Sequence, residues 1–363
     1  MPLRAATGVE HLAVLAREPR PAGGDAEERA RDYAASVLAG AGFTVRRERF
    51  TYSAFPGRMA TPIGGAMAAL AVWGAAWAAL ARANERAALV VLAAGVALLA
   101  GFASVMLGDA VLTLPLMRAQ SENLVATRGG AAPHVWLVAH LDSKSQPAPS
   151  LARVSGVMLL MGALMLALAA CALQLASLPA RTAWWGAVAA ALLGVLPVVL
   201  SVVGARSPGA LDNASGVAAV LAAAAALDPD AAVGVLLPSA EELGLAGARA
   251  WVRDRPAAIA LNCDGVDDEG ELTIMYTRVR PNGVIGVVER VSATPPRVQR
   301  MPLGLLTDSV AFADRGWAAV TLSRGSLASL RRVHTSRDSL AALQGLGVDE
   351  MANLLARAAE ALT

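Results

Sequence analysis

The chain has 363 residues, of which 56% are hydrophobic and only 17% charged, with a formal net charge of +2. A soluble domain is nearer a quarter charged, so this composition excludes an ordinary water-soluble protein. A near-neutral balance without any run of five basic residues also excludes a nucleic-acid surface.

The first 50 residues are charge-rich and lack an apolar leader, so no signal peptide is expected. Residues 25–38 read as an amphipathic helix stopped by Gly40 and Gly42. Residues 43–52 alternate as an exposed strand does. Four stretches then carry no charge at all: 59–81, 87–108, 154–180 and 182–205. They hold 96 residues and none of the 60 charges, whereas the other 267 residues are about 22% charged, an ordinary soluble composition. Each stretch is long enough to cross a hydrocarbon layer about 30 Å thick. They pair across short polar breaks, residues 82–86 and Arg181, which predicts two helical hairpins that enter a bilayer and return. Trp184 and Trp185 open the fourth, as aromatic residues do at a membrane boundary. Gln174 and Pro197 lie within spans, where a helix bundle tolerates both. The expected organisation is soluble segments 1–58, 109–153 and 206–363, interrupted by membrane hairpins 59–108 and 154–205.

Within the soluble segments, the apolar runs 135–139, 233–237, 258–261 and 318–322 suit buried strands of a mostly parallel sheet. Helical patterns alternate with them at 214–227, 243–253, 284–291 and 349–362. The predicted fold class is α/β, a mixed, mostly parallel sheet between helices, plus four transmembrane helices inserted as two hairpins. The two cysteines, Cys171 and Cys263, cannot make a disulfide framework or a cysteine-rich zinc site.

Residues able to do chemistry collect at the predicted strand ends. Of four histidines, His140 ends the run 135–139 and begins His140-Leu141-Asp142. A His-x-Asp there can supply a metal ligand and the carboxylate that orients its ring. Asp212 opens Asp-Asn-Ala-Ser-Gly before a helix, where it serves equally as a helix cap. Glu241 and Glu242 follow a strand, and adjacent carboxylates repel unless a cation or a shared proton relieves them. Asp264 follows Ala-Leu-Asn-Cys, Asp267 and Asp268 read as a turn, and His334 comes after a strand and a loop. His140, Asp212, Glu242, Asp264 and His334 form a mixed nitrogen and oxygen set suited to zinc or related divalent ions. With Asp212 bridging, the set could hold two ions roughly 3.5–4 Å apart, leaving Glu241 as a general base.

In this order the motifs resemble the co-catalytic zinc aminopeptidases of peptidase family M28. The match runs through His140-Leu141-Asp142, Asp212-Asn213-Ala214-Ser215-Gly216, Glu241-Glu242, Asp264 and His334, and it covers the 267 residues outside the spans. The resemblance implies a mixed eight-stranded sheet, a peptide substrate, and two divalent ions with zinc the first choice. It assigns His140 and Asp264 to one ion, Glu242 and His334 to the other, and the bridge to Asp212. It makes Glu241 the base and Asp142 the support of His140. Asp308-Ser309 departs from the Asp-His of many members, and Tyr276 is either a transition-state hydroxyl donor or a plain strand residue.

The expectation is a membrane-embedded metallo-aminopeptidase. A one-zinc glutaminyl cyclase is an alternative, to which the run Asp142-Ser143-Lys144 is similar, and an inactive scaffold or receptor of the same fold is another. Near the spans, Arg46, Arg47, Arg49, Arg58, Arg118, Lys144, Arg153 and Arg206 lie on the soluble side, and Arg82, Arg86 and Arg181 at the hairpin tips. That bias predicts a catalytic domain on the cytoplasmic face of a bacterial-type inner membrane.

Overall fold

A computed structural model describes residues 6–129, 132–302 and 304–363. Internal packing divides the chain into two units. One comprises Met1–Ala54, Leu112–Ser145 and Gly204–Thr363; the other comprises Phe55–Val111 and Gln146–Val203.

The first unit is built on strands β1 (Thr44–Ser53), β2 (Arg118–Thr127), β3 (Val135–Val138), β4 (Val233–Leu237), β5 (Ile259–Val266), β6 (Glu271–Tyr276), β7 (Arg297–Arg300) and β8 (Ala318–Gly325). They form one sheet in the order β1-β2-β4-β3-β5-β8-β6-β7. The central strands β4, β3, β5 and β8 are parallel, and β2 and β6 flank them antiparallel. Every residue of β3 and β4 is buried, which is why both read as unbroken apolar runs: helices cover both faces of the sheet. The larger core is made by the helices Gly8–Leu15, Asp25–Gly40, Ser215–Ala226, Asn282–Val291 and Leu346–Glu360 against the sheet. A smaller core gathers Trp136, Trp251, Phe312 and Trp317 on edge-to-face and tilted ring contacts. Gly234 is required beneath it, since a Cβ there would lie 2.6 Å from the Trp136 ring.

The expected α/β sheet is therefore present, and the differences are local. The strand predicted at 43–52 runs Thr44–Ser53. Strand β2 has no apolar signature because its polar residues are used inside: buried Asn123 donates to the Gly247 carbonyl and accepts from Ser239 N–H. The segment 243–253 is not helical from its start. Ala240, Gly244 and Leu245 take left-handed backbone (φ 57°, 109° and 61°), which confines Glu241–Leu243 to one 3₁₀ turn before the helix Ala246–Val252. Asp267, expected in an open turn, is buried and bonded to Ser329 and Arg332.

The second unit contains helices Phe55–Leu80, Glu85–Met106, Ser150–Leu175 and Arg181–Val199, all long and apolar enough to cross a membrane. The first begins before its uncharged stretch and includes Arg58; the fourth ends at Val199, short of 205. Gly156 and Gly194 let the third and fourth helices meet backbone to backbone, a Cβ on either falling under 3 Å from the other's carbonyl oxygen. Trp184 Nε1 donates to Gln174 Oε1 at 2.9 Å, which accounts for both polar atoms.

Candidate metal centre

The carboxyl ends of the parallel strands place the predicted residues together. His140 and Asp142 follow β3, Glu241 and Glu242 occupy the 3₁₀ turn after β4, and Asp264 lies near the end of β5. Asp212 arrives on the loop before the helix Ser215–Ala226, and His334 after β8. Asp212 does not cap that helix: its backbone is extended (φ −119°), its peptide bond to Asn213 is cis, and its carboxylate turns to the histidines.

Two groups of donor atoms result, His140, Glu241 and Asp264 in one and Asp212, Glu242 and His334 in the other, each within 4.8 Å. Asp212 spans them. Its Oδ1 is 3.3 Å from His140 Nε2 and its Oδ2 is 3.0 Å from His334 Nε2. His140 Nε2 also lies 3.8 Å from Asp264 and 3.9 Å from Glu241, and Glu242 Oε1 is 3.1 Å from His334 Nε2. His140 Nε2 and Glu242 Oε1 are buried without a hydrogen bond to any described residue. Buried polar atoms left so at the meeting point of imidazoles and carboxylates are what divalent-ion ligands look like before an ion is counted. The residues present thus fit such ions.

The electrostatics separate the two glutamates. Burial pushes the Glu241 carboxyl well above the usual carboxylate range, with Glu242, Asp264 and Asp308 adding to it against His140. Glu242 is buried too, but Lys144 and then His334 hold it down to about 2. Burial works against a charge on His140, yet Glu241, Asp142, Asp212 and Asp264 together raise it well above the usual imidazole value. Asp308 is fully buried and pushed up to about 8, by desolvation first and then by Asp142, Asp264 and Glu242.

Asp142 does something the sequence did not indicate. His140 Nδ1 is 3.0 Å from the Asp142 main-chain oxygen and 3.6 Å from its carboxylate. The carboxylate instead accepts Glu241 N–H (3.1 Å) and Glu242 N–H (3.2 Å), fixing the acidic turn. Two further residues escaped sequence reasoning. Asp338, four residues after His334, accepts the N–H groups of Leu211 (2.6 Å) and Asp212 (3.2 Å). Arg20 is buried and donates to the carbonyls of Leu15, Leu141, Pro208 and Gly209, joining the loops of His140 and Asp212. The run His-Thr-Ser-Arg-Asp held a signal for Asp338; an isolated N-terminal arginine gives none. Tyr276 ends β6, which runs antiparallel to β8, so it lies toward the opposite end of the strands from the clustered residues.

The sequence profile of Peptidase family M28 matches residues 123–359. No curated protein matches the chain. Among solved structures, an aminopeptidase from Aneurinibacillus sp. strain AM-1 is similar at a TM-score of 0.55 and 15% identity, covering 97% of this chain and 92% of that one. A zinc aminopeptidase from Bacillus subtilis gives 0.54 and 14%, covering 98% and 94%. The glutaminyl cyclase of Porphyromonas gingivalis gives 0.55 and 13%, covering 99% and 100%. These three share the fold with this chain. With the profile spanning most of its length, the chain belongs to peptidase family M28.

Proposed function

We propose that this protein is a membrane-embedded metallo-aminopeptidase that removes N-terminal residues from peptides. The observation that carries the reading is the Asp212 carboxylate, which offers one oxygen to each of two histidine-containing groups. In this reading His140 and Asp264 hold one divalent ion, Glu242 and His334 the other, with Asp212 shared and zinc the first choice. Bound ions supply Lewis acidity to the scissile carbonyl and acidify the attacking water. Glu241, whose basicity is raised by burial, takes the proton from that water and returns it to the leaving amine. Asp142 keeps Glu241 and Glu242 in register through their main-chain N–H groups. The four long apolar helices anchor the chain in the bilayer, and the basic residues beside them favour a cytoplasmic catalytic face.

The test is the detergent-purified full chain. It should contain two divalent ions, release N-terminal residues from aminoacyl substrates, lose activity to a chelator and regain it with zinc. No hydrolysis by the ion-loaded protein would refute the reading. Cyclase activity is the second reading, favoured by the cyclase fold match and by Lys144 at the centre. Pyroglutamate formed from an N-terminal glutaminyl peptide, with one bound ion, would establish it instead.

A further inference from the structure

Arginine serves at thirty of the 31 Lys and Arg positions of this chain; the single lysine, Lys144, stands at the metal centre. Its Nζ lies 2.5 Å from Glu242 Oε2, and its side chain is 11% exposed. The other oxygen of Glu242 is the one 3.1 Å from His334 Nε2. A guanidinium fork would bridge both carboxylate oxygens, whereas a compact ammonium takes one and leaves the other for a ligand. The loop holding Lys144 is pinned on both sides. Ser143 N–H donates to the Arg20 carbonyl, and Ser145 N–H donates to the Gly204 carbonyl. Both pins are main-chain bonds that use no candidate ligand, so the Lys144 backbone is held beside Glu242 without an ion. Among the described residues, no lysine or arginine forms an ion pair with Asp264 or Glu241, and that side has the Glu241 carboxylate instead. Arg20 donates to the carbonyls of Leu141 and Gly209, next to His140 and in the loop before Asp212.

Resting on the two-ion reading above, we infer that Lys144 makes the two ion positions unequal: it weakens cation binding by Asp212, Glu242 and His334 relative to binding by His140 and Asp264. A unit charge a few ångströms from a divalent ion, in a site largely closed to water, is worth at least about tenfold in affinity. The same ammonium turns Glu242 into a one-oxygen ligand and keeps Oε1 aimed at His334.

The experiment titrates the chelator-stripped full chain in detergent with zinc against a chromophoric competitor, reading the stepwise Kd values. The wild type should show two steps at least about tenfold apart. His334→Ala should remove the weaker step, and His140→Ala the tighter one. Lys144→Met should tighten the weaker step about tenfold or more, Lys144→Gln should do the same, and Lys144→Arg, which keeps the charge and can bridge both Glu242 oxygens, should keep the gap or widen it. Two steps whose ratio moves less than about twofold in both neutral variants, or a weaker step that loosens, would overturn the inference. Saturation at one ion in the wild type and in both neutral variants would instead overturn the two-ion reading.

Discussion

Removing the carboxylate of Asp142 separates two accounts of that residue. If it acts on His140, as the family resemblance implies, Asp142→Ala should weaken only the ion position that uses His140. The geometry favours the Glu241–Leu243 turn, since both carboxylate oxygens accept N–H groups there, at 3.1 and 3.2 Å, while Oδ1 lies 3.6 Å from His140 Nδ1. Truncation leaves two buried N–H groups without acceptors, at about 1–3 kcal/mol each, so about 2–6 kcal/mol in all. Asp142→Asn keeps one acceptor oxygen and should cost about half as much. The turn is flanked by left-handed Ala240 and Leu245, a backbone that persists only while its surroundings enforce it. Freed of its anchor, it should relax and carry Glu241 and Glu242 away together. The assay is threefold: thermal unfolding of the ion-free protein in detergent, zinc affinity, and kcat. Asp142→Ala should lower all three, with the Glu242 and His334 position losing affinity and Asn intermediate in each. An Asp142→Ala protein with unchanged unfolding and a defect confined to the His140 position would refute the reasoning.

Glu241→Gln should retain both ions and lower kcat by about 10²–10⁴-fold, while Glu242→Gln should chiefly weaken ion binding; metal analysis beside steady-state kinetics checks both. Glu27 is buried and its carboxyl is pushed up to about 7, by desolvation first and then by Asp142. A raised folded-state value means that its contribution to stability is present below the unfolded value of about 4.5 and is lost as pH rises through 7. Glu27→Gln should therefore flatten the fall in Tm between about pH 5 and 8, and an unchanged slope would remove Glu27 from that role. For topology, a cysteine placed at Asn84, in the first hairpin tip, should react with an impermeant maleimide in intact cells, and one at Asp349 should not. The two native cysteines are buried and add little background. The reverse labelling pattern would place the catalytic unit outside the cytoplasm.

What could be read in advance follows from how each feature is encoded. The buried parallel strands and the four apolar helices impose long composition signals, and the candidate ligands sit in short motifs at strand ends. The supporting residues carry no such mark. Asn123, Arg20 and Asp338 bind main-chain groups far away in sequence, over separations of 124, 189 and 127 residues respectively. No periodicity records a bond of that kind. Strand β7 is four residues long at the sheet edge and reads Arg-Val-Gln-Arg, so it gives no apolar run to find. His-x-Asp spacing places Asp142 beside His140 but does not reveal that its carboxylate also accepts the Glu241 and Glu242 N–H groups.

Ser145 and Gly204 join in an isolated antiparallel bridge, each accepting the other's N–H at 2.9 and 2.7 Å. Between them the chain leaves for the whole of the second helical pair, after His140 and before Asp212. In genetic terms the bridge is a splice point. Ser145 and Gly204 both belong to the first unit, so the bridge closes the detour within that unit. Closing a longer or shorter detour changes the loop entropy by only about 0.6 kcal/mol per doubling. One helical pair could thus be exchanged for another, or for a short turn, without redrawing the edge that carries the candidate ligands.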